Sequence, residues 1–252
     1  MYIAVISCDK NLDTRIPIQS KYSLSSVDYT IITGSGSRHK YNNQKVLQVG
    51  DGYEDLKYKT LALIKIFLQD TDKEHLIKLD DDTFVDTTNL QHLMGDYVGI
   101  GSEYFTFLHN IEQHIQYIRN KSGCIDTQNV NYFNYDDFKY AEGGCYCLSR
   151  RACTEIYNAS LNQKNLPFFQ EDITIGYLAK LAGIPLKNTG RHLPWYDISN
   201  DNVSFHPSSL LHFKKLREVD SIEDRINICN ELLPFNPYYR EYHDLKRKQA
   251  DK

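Results

Sequence analysis

A short apolar strand pattern that runs straight into three aspartates is the feature that most limits what this chain can fold into. His75-Leu76-Ile77-Lys78-Leu79 reads as a strand, and Asp80-Asp81-Asp82 follows at once. It belongs to a series. Tyr2 to Ile6 reads as a buried strand, Arg15 to Leu24 as a helix, Tyr29 to Thr33 as a second strand and Lys45 to Val49 as a short third. From Tyr53 to Leu68 apolar residues recur at helical spacing (Leu56, Leu63, Ile64, Phe67), with Asp51 and Gly52 placed to start the helix. Strand and helix patterns in alternation predict an α/β chain: a parallel sheet with helices packed on it.

Beyond the aspartates the pattern predicts a short helix over Thr87 to Met94 and a strand over Tyr97 to Phe107. Asn110 to Asp137 is polar, rich in Asn, Gln and Tyr, and reads as a helix followed by a mobile loop. Order resumes at Tyr140. Ala141 to Leu148 reads as a turn, at Gly143-Gly144, into a strand; Ser149 caps a helix to about Asn158, and Glu171 to Leu181 forms another, closed by Gly183 and Pro185. Arg191 to Pro207 is expected to be a loop holding the single tryptophan, Trp195, and the residues from Tyr242 onward a charged, frayed tail.

The 252 residues, 41% of them hydrophobic, suffice for one sizeable core, so one domain over 1–252 is expected. A balance of 29 basic against 33 acidic side chains leaves no electrostatic footprint for a nucleic-acid backbone, which sets nucleic acid aside as a partner. No apolar run approaches the roughly 18 residues of a membrane span, and no signal-peptide core is expected at the N-terminus. The six cysteines repeat no paired C-x-x-C zinc spacing, so reduced, partly buried thiols are expected. Gly34-Ser35-Gly36-Ser37 reads as a flexible turn without the lysine or spacing of a P-loop, and no G-x-G-x-x-G occurs.

In open α/β sheets ligands bind at the carboxyl ends of strands, where Asp80-Asp81-Asp82 stands. Carboxylates two residues apart share one side of an extended chain, a geometry for a hard divalent cation such as Mn²⁺ or Mg²⁺ that also binds phosphate oxygens. The competing reading is a solvated acidic turn. A phosphatase D-x-D-x-[TV] motif fails at its fifth position, Phe84. Glu171-Asp172 opens a helix, where either ordinary capping or service as a general base accounts for an acid. His206 and His212 are candidate third metal ligands or structural histidines. Gly143-Gly144 serves either as a turn or as bare backbone that a ligand can approach closely.

Taken in order, these segments resemble the fringe and β1,3-galactosyltransferase family of glycosyltransferases. Asp51-Gly52-Tyr53-Glu54-Asp55-Leu56-Lys57-Tyr58-Lys59-Thr60 resembles its D-x-Y-x-N-L-x-x-K-T helix start, and Lys78 to Val85 its K-x-D-D-D-x-F-V metal motif. Glu142 to Ser149 is similar to its glycine-rich strand, Glu171-Asp172-Ile173-Thr174-Ile175-Gly176 to its E-D-V-x-x-G segment, and Val203-Ser204-Phe205-His206 to its late Phe-His; Thr14-Arg15 is a looser match. The resemblance implies a GT-A fold, a Rossmann-like nucleotide-binding domain with a mixed central sheet flanked by helices. About 1–100 would be its nucleotide-sugar half, about 101–240 its acceptor half and 241–252 a tail.

The resemblance further implies an inverting, metal-dependent transferase that moves a sugar (galactose, GlcNAc, GalNAc or glucose) from a UDP-sugar to a glycan or glycoprotein acceptor in a β-linkage. Asp80, Asp82 and His206 would hold Mn²⁺ (or Mg²⁺), and Asp172 would be the base. Arg15, Lys59, Asp81, Gly143 and Gly144 would join the aspartates around the nucleotide sugar, with Glu171, His212 and Trp195 as further candidates. The chain departs from the family at Asp55, where Asn is usual; no membrane anchor is expected, the family's lumenal cysteine pairs have no evident counterparts, and a bacterial or viral relative working in bacterial or host cytoplasm is expected. A non-catalytic carbohydrate-binding relative and a nucleotide-sugar hydrolase are the alternatives.

Overall fold

A computed structural model of the chain describes residues 1–22, 24–85, 87, 90, 93–122, 132–189 and 195–197. The strands are β1 (Tyr2–Ile6), β2 (Thr30–Thr33), β3 (Gln44–Val46), β4 (His75–Asp80), β5 (Thr83–Val85), β6 (Tyr97–Glu103), β7 (Lys139–Ser149), β8 (Lys187–Asn188) and β9 (Trp195–Asp197). The helices are α1 (Arg15–Tyr22), α2 (Leu56–Asp70), α3 (Tyr104–His109), α4 (Ile111–Ser122), α5 (Arg150–Leu161) and α6 (Glu171–Leu181). Seven strands form one sheet in the order β3-β2-β1-β4-β7-β6-β8, and β5 pairs with β9 separately. Strands β1 to β4 are mutually parallel, while β7 runs antiparallel to both β4 and β6. The expected α/β architecture is present, with a mixed central sheet flanked by helices.

Alternation along β1 explains its central place. Ala4 and Ile6 enter the core beneath α2, α5 and α6, whereas Ile3 and Val5 enter the core on the opposite face, beside Leu12 and Ile16. A strand buried on both faces needs a continuous apolar run, and this one has it. On α2, Leu63, Ile64 and Phe67 are fully buried; each contributes about 2 kcal/mol of hydrophobic stabilisation. Ser149 caps α5 as expected, its side chain accepting the Ala152 N–H at 3.0 Å, a contact worth about 1 kcal/mol.

Three boundaries differ from expectation. The strand from Tyr97 stops at Glu103, because Tyr104 and Phe107 lie one helical turn apart and both enter an aromatic cluster with Phe138 and Phe168. Gly143-Gly144 is no turn: β7 runs through both glycines at a register shift, with Lys139 to Ala141 paired to β6 before them and Cys145 to Ser149 paired to β4 after them. Helix α2 begins at Leu56 rather than near Gly52, with Asp51 drawn into other bonds. Trp195 to Asp197, expected in a loop, form strand β9 against Val85 to Thr83. The helix expected over Thr87 to Met94 lies partly outside the described residues; of the loop expected after α4, residues 123–131 lie outside them and Tyr132–Asn134 form a short 3-10 turn, and the remainder of Arg191 to Pro207 and the tail lie outside them. Cys8, Cys145, Cys147 and Cys153 are free thiols, and among the described residues no helix is long and apolar enough to cross a membrane.

Candidate active site

The carboxyl ends of β1 and β4 open into a cleft of about 590 Å³. Residues just past β1 (Ser7, Cys8), the start of α1 (Arg15) and the aspartates after β4 make one wall; Gly143 and Gly144 of β7 with Glu171 and Asp172 of α6 make the other. Only Asp80 of the three aspartates ends the strand. Asp81 and Asp82 form the turn into β5, so the extended-chain spacing expected of Asp80 and Asp82 does not apply, although both still face the cleft.

Asp81 fixes that turn. Its carboxylate accepts bonds from Ser7 Oγ at 2.7 Å, Asn11 Nδ2 at 2.8 Å and Arg15 at 2.6 Å. The same guanidinium reaches Asp82 at 2.9 Å. Gln19 Nε2 adds bonds to the carbonyls of Asp80 at 2.9 Å and Thr83 at 2.6 Å, so the backbone on both sides of the acidic pair is tied to α1. A charge buried this far is tolerated because it is paired and hydrogen-bonded.

A second node stands at Asp51. Its carboxylate accepts from the N–H groups of Gly34 at 2.6 Å and Asp9 at 2.8 Å, from Ser37 Oγ at 2.7 Å and from Lys59 Nζ at 2.7 Å. Burial raises the Asp51 carboxyl, but the Lys59 bond and the surrounding donors outweigh it and hold the group below the usual carboxylate range. Gly34 is required for this closeness. A Cβ there would lie 2.3 Å from the Gly50 carbonyl oxygen, so the stretch read as a flexible turn is pinned to the loop before α2. Lys59 lines the cleft, yet its ammonium is committed to Asp51 and, at 2.8 Å, to the Ser7 carbonyl.

Lys78 is fully buried on the α2 and α6 face of β4. Its ammonium donates to Asp80 Oδ1 at 2.6 Å, to the Gly143 carbonyl and, at 3.3 Å, to Glu171 Oε2. Burial opposes the charge, but the fields of Asp80 and Glu171 outweigh it and raise the ammonium above its ordinary value. Glu171 is engaged again from its other oxygen by the Tyr146 hydroxyl. Asp80 is pushed up to about 7: burial raises it, Lys78 lowers it, and Asp82 and Glu171 raise it further.

Asp172 is brought to the same place. Gly176, one turn on, meets β7 without a side chain; a Cβ there would lie 2.2 Å from Tyr140 Cβ, so α6 can lie this close to the strand only with glycine. The Asp172 carboxylate accepts its neighbour's Ile173 N–H at 2.8 Å, and burial followed by the field of Glu171 pushes its carboxyl up to about 7. Such a group exchanges protons near neutrality. Gly143 leaves room beside it: a Cβ there would sit 3.6 Å from Asp172 Oδ2.

Of the residues anticipated from sequence, Arg15, Lys59, Asp80, Asp81, Asp82, Gly143, Gly144, Glu171 and Asp172 all line this one cleft. Trp195 is a β9 residue opposite Val85, and His206 and His212 lie outside the described residues. Sequence reasoning gave no role to Lys78 or Ser7; a lysine inside an otherwise apolar strand was the available signal. Among the described residues no three His, Cys, Asp or Glu side chains surround a common point. Asp80 and Asp82 nonetheless offer hard oxygen donors to the cleft, the donor type a divalent cation takes.

No curated protein matches the sequence. Among solved structures, the chain is similar to the galactosyltransferase LgtC in complex with donor and acceptor sugar analogues, at 13% identity over 75% of this chain and 74% of that one, with a TM-score of 0.43. It is also similar to the apo form of mouse xyloside xylosyltransferase 1, at 9% identity over 76% of this chain and 85% of that one, with a TM-score of 0.40. The galactosyltransferase family profile matches residues 31–190, more than half of the chain and the stretch that carries Asp51, the three aspartates, Gly143-Gly144 and Glu171-Asp172. The chain belongs to the galactosyltransferase family and is a glycosyltransferase.

Proposed function

We propose that the enzyme transfers a hexose from a UDP-sugar to a hydroxyl of a glycan or glycoprotein acceptor with inversion at the anomeric carbon. The observation that carries this reading is the position of Asp172: a carboxylate poised near neutrality faces the same cleft as Asp80-Asp81-Asp82. In the proposed reaction Asp172 accepts the proton of the acceptor hydroxyl, whose oxygen attacks the anomeric carbon as the bond to UDP breaks on the opposite face. Glu171 is the weaker candidate for base, because Lys78 and Tyr146 already occupy its oxygens.

Asp80 and Asp82 are the residues that would hold Mn²⁺ or Mg²⁺, with His206 proposed as the third ligand; the ion would neutralise charge on the departing diphosphate. Arg15 and the Asp51–Lys59 node hold the wall against which the nucleotide would lie. We place the nucleotide-sugar half at about 1–100 and the acceptor half at about 101–240 of a single domain. The free thiols favour a reducing, cytoplasmic setting.

The test is thermal unfolding with UDP, GDP or CMP, each with and without Mn²⁺. A ligand that binds only the folded state at 100 times its Kd stabilises it by about 2.7 kcal/mol, so UDP with Mn²⁺ should raise the Tm by several degrees and UDP with EDTA by much less. Equal shifts for all three nucleotides, or a UDP shift indifferent to the ion, would remove the donor assignment. With UDP-galactose, free sugar in place of transferred sugar would favour the hydrolase.

A further inference from the structure

Lys57 is buried in the first turn of α2, and no step of the proposed reaction uses it. Two physical effects oppose a lysine there. Burial lowers the ammonium below its ordinary value, and the start of a helix carries positive partial charge. A leucine or methionine would fill the same volume without either penalty. What a hydrocarbon lacks is the donor: Lys57 Nζ donates to the carbonyl of Phe168 and, at 3.5 Å, to that of Leu166.

Those carbonyls belong to the segment that delivers the catalytic helix. Gln170 is the N-cap of α6, and Glu171 and Asp172 are its first two residues. The Phe168 carbonyl also accepts from Thr174 Oγ1 at 3.3 Å, which ties the same oxygen to the first turn of α6. One turn before Lys57, the Tyr53 ring packs on Phe169 with centroids 5.9 Å apart. The entry to α6 is thus gripped by an ammonium of α2 on its backbone and by a ring of the loop before α2 on its side chain.

We propose that Lys57 is a positioning residue: by holding the carbonyls of Leu166 and Phe168 it sets where α6 begins, and so where Asp172 meets the cleft. Its effect on turnover rests on the assignment of Asp172 as base; its effect on the segment does not.

Three proteins test this: wild type, Lys57→Met, which keeps the bulk and removes the donor, and Lys57→Arg, which restores donors on a cation. Hydrogen exchange reads the segment, calorimetry with UDP and Mn²⁺ reads binding, and UDP release from UDP-galactose reads turnover. In Lys57→Met the amides of Ile173 and Thr174 should exchange at least about tenfold faster while Leu178 is unchanged. UDP affinity and KM should stay within about twofold and kcat should fall at least about tenfold, with Lys57→Arg recovering most of both losses. Unchanged exchange, faster exchange with unchanged kcat, or a uniform rise across the sheet would each overturn the proposal. If wild type consumes no UDP-sugar, the functional reading fails, and the exchange comparison still decides the clamp. Should Lys57→Met not fold, Lys57→Gln, with N–H donors on a shorter stem and no charge, separates donor from cation: wild-type kcat with unchanged exchange supports a donor role, and a tenfold loss of kcat, whatever the KM, overturns it.

Discussion

Replacing Asp172 by asparagine should stabilise the fold while abolishing transfer, and the gain should depend on pH. The Asp172 carboxyl is raised from 3.8 to about 7, first by burial and then by Glu171. Unfolded, it ionises near its ordinary value, so between these limits the folded state binds more protons and stability falls as pH rises; the whole penalty is present above pH 7. A shift of about 3 units at about 1.4 kcal/mol each sets a ceiling near 4 kcal/mol. Asp172 is only half-buried and faces cleft water, so screening brings the expected figure to about 2 kcal/mol.

Asparagine keeps the bulk and the Oδ1 that accepts the Ile173 N–H at 2.8 Å, but it carries no charge at any pH. Urea unfolding of both proteins in EDTA should therefore give Asp172→Asn an advantage of about 2 kcal/mol at pH 8 and about two-thirds of that at pH 5. Transfer should drop by about 10²-fold or more, as expected when a general base is lost. An advantage that does not widen between pH 5 and pH 8, or a variant less stable than wild type at pH 8, would refute the electrostatic reasoning. Wild-type transfer rates would remove Asp172 from the role of base.

Lys78→Met should cost about 3–5 kcal/mol, read from urea unfolding, because Glu171 and Asp80 lose the buried cation between them. Gly34→Ala should cost about 2 kcal/mol or more, because its Cβ would meet backbone at 2.3 Å and backbone cannot swing aside. Gly143→Ala should leave the urea midpoint nearly unchanged, since its Cβ would make only ordinary contacts from 3.5 Å, yet turnover should fall as the methyl occupies the space beside Asp172; unaltered kcat and KM would show that this space is unused.

Much of the architecture was legible because it is written locally. The apolar run at Tyr2 to Ile6 admits only a strand buried on both faces, and Ser149 before Arg150 announces a capped helix. Where two local readings were open, long-range packing chose. Tyr104 and Phe107 continue an apolar stretch that serves strand or helix equally, and the aromatic cluster with Phe168 selected helix. Two adjacent glycines suggest a turn until β4 and β6 pair with the strand on both sides. Asp51 looked like a helix start because nothing nearby announces Gly34, Ser37 and Lys59 as its partners.

The sequence by itself determined that strands and helices alternate, that acids stand where a core strand ends, and that another acidic pair opens a later helix. Each is a matter of side-chain period and of charge at an element's end, which neighbouring residues suffice to specify. Only tertiary structure decided that Lys78 and Glu171, 93 positions apart, share a buried bond, that Arg15 gathers Asp81 and Asp82, and that Asp172 is left to exchange its proton near neutrality. Charge states in a buried site follow from distance and lost water, and both quantities exist only once the chain has closed on itself.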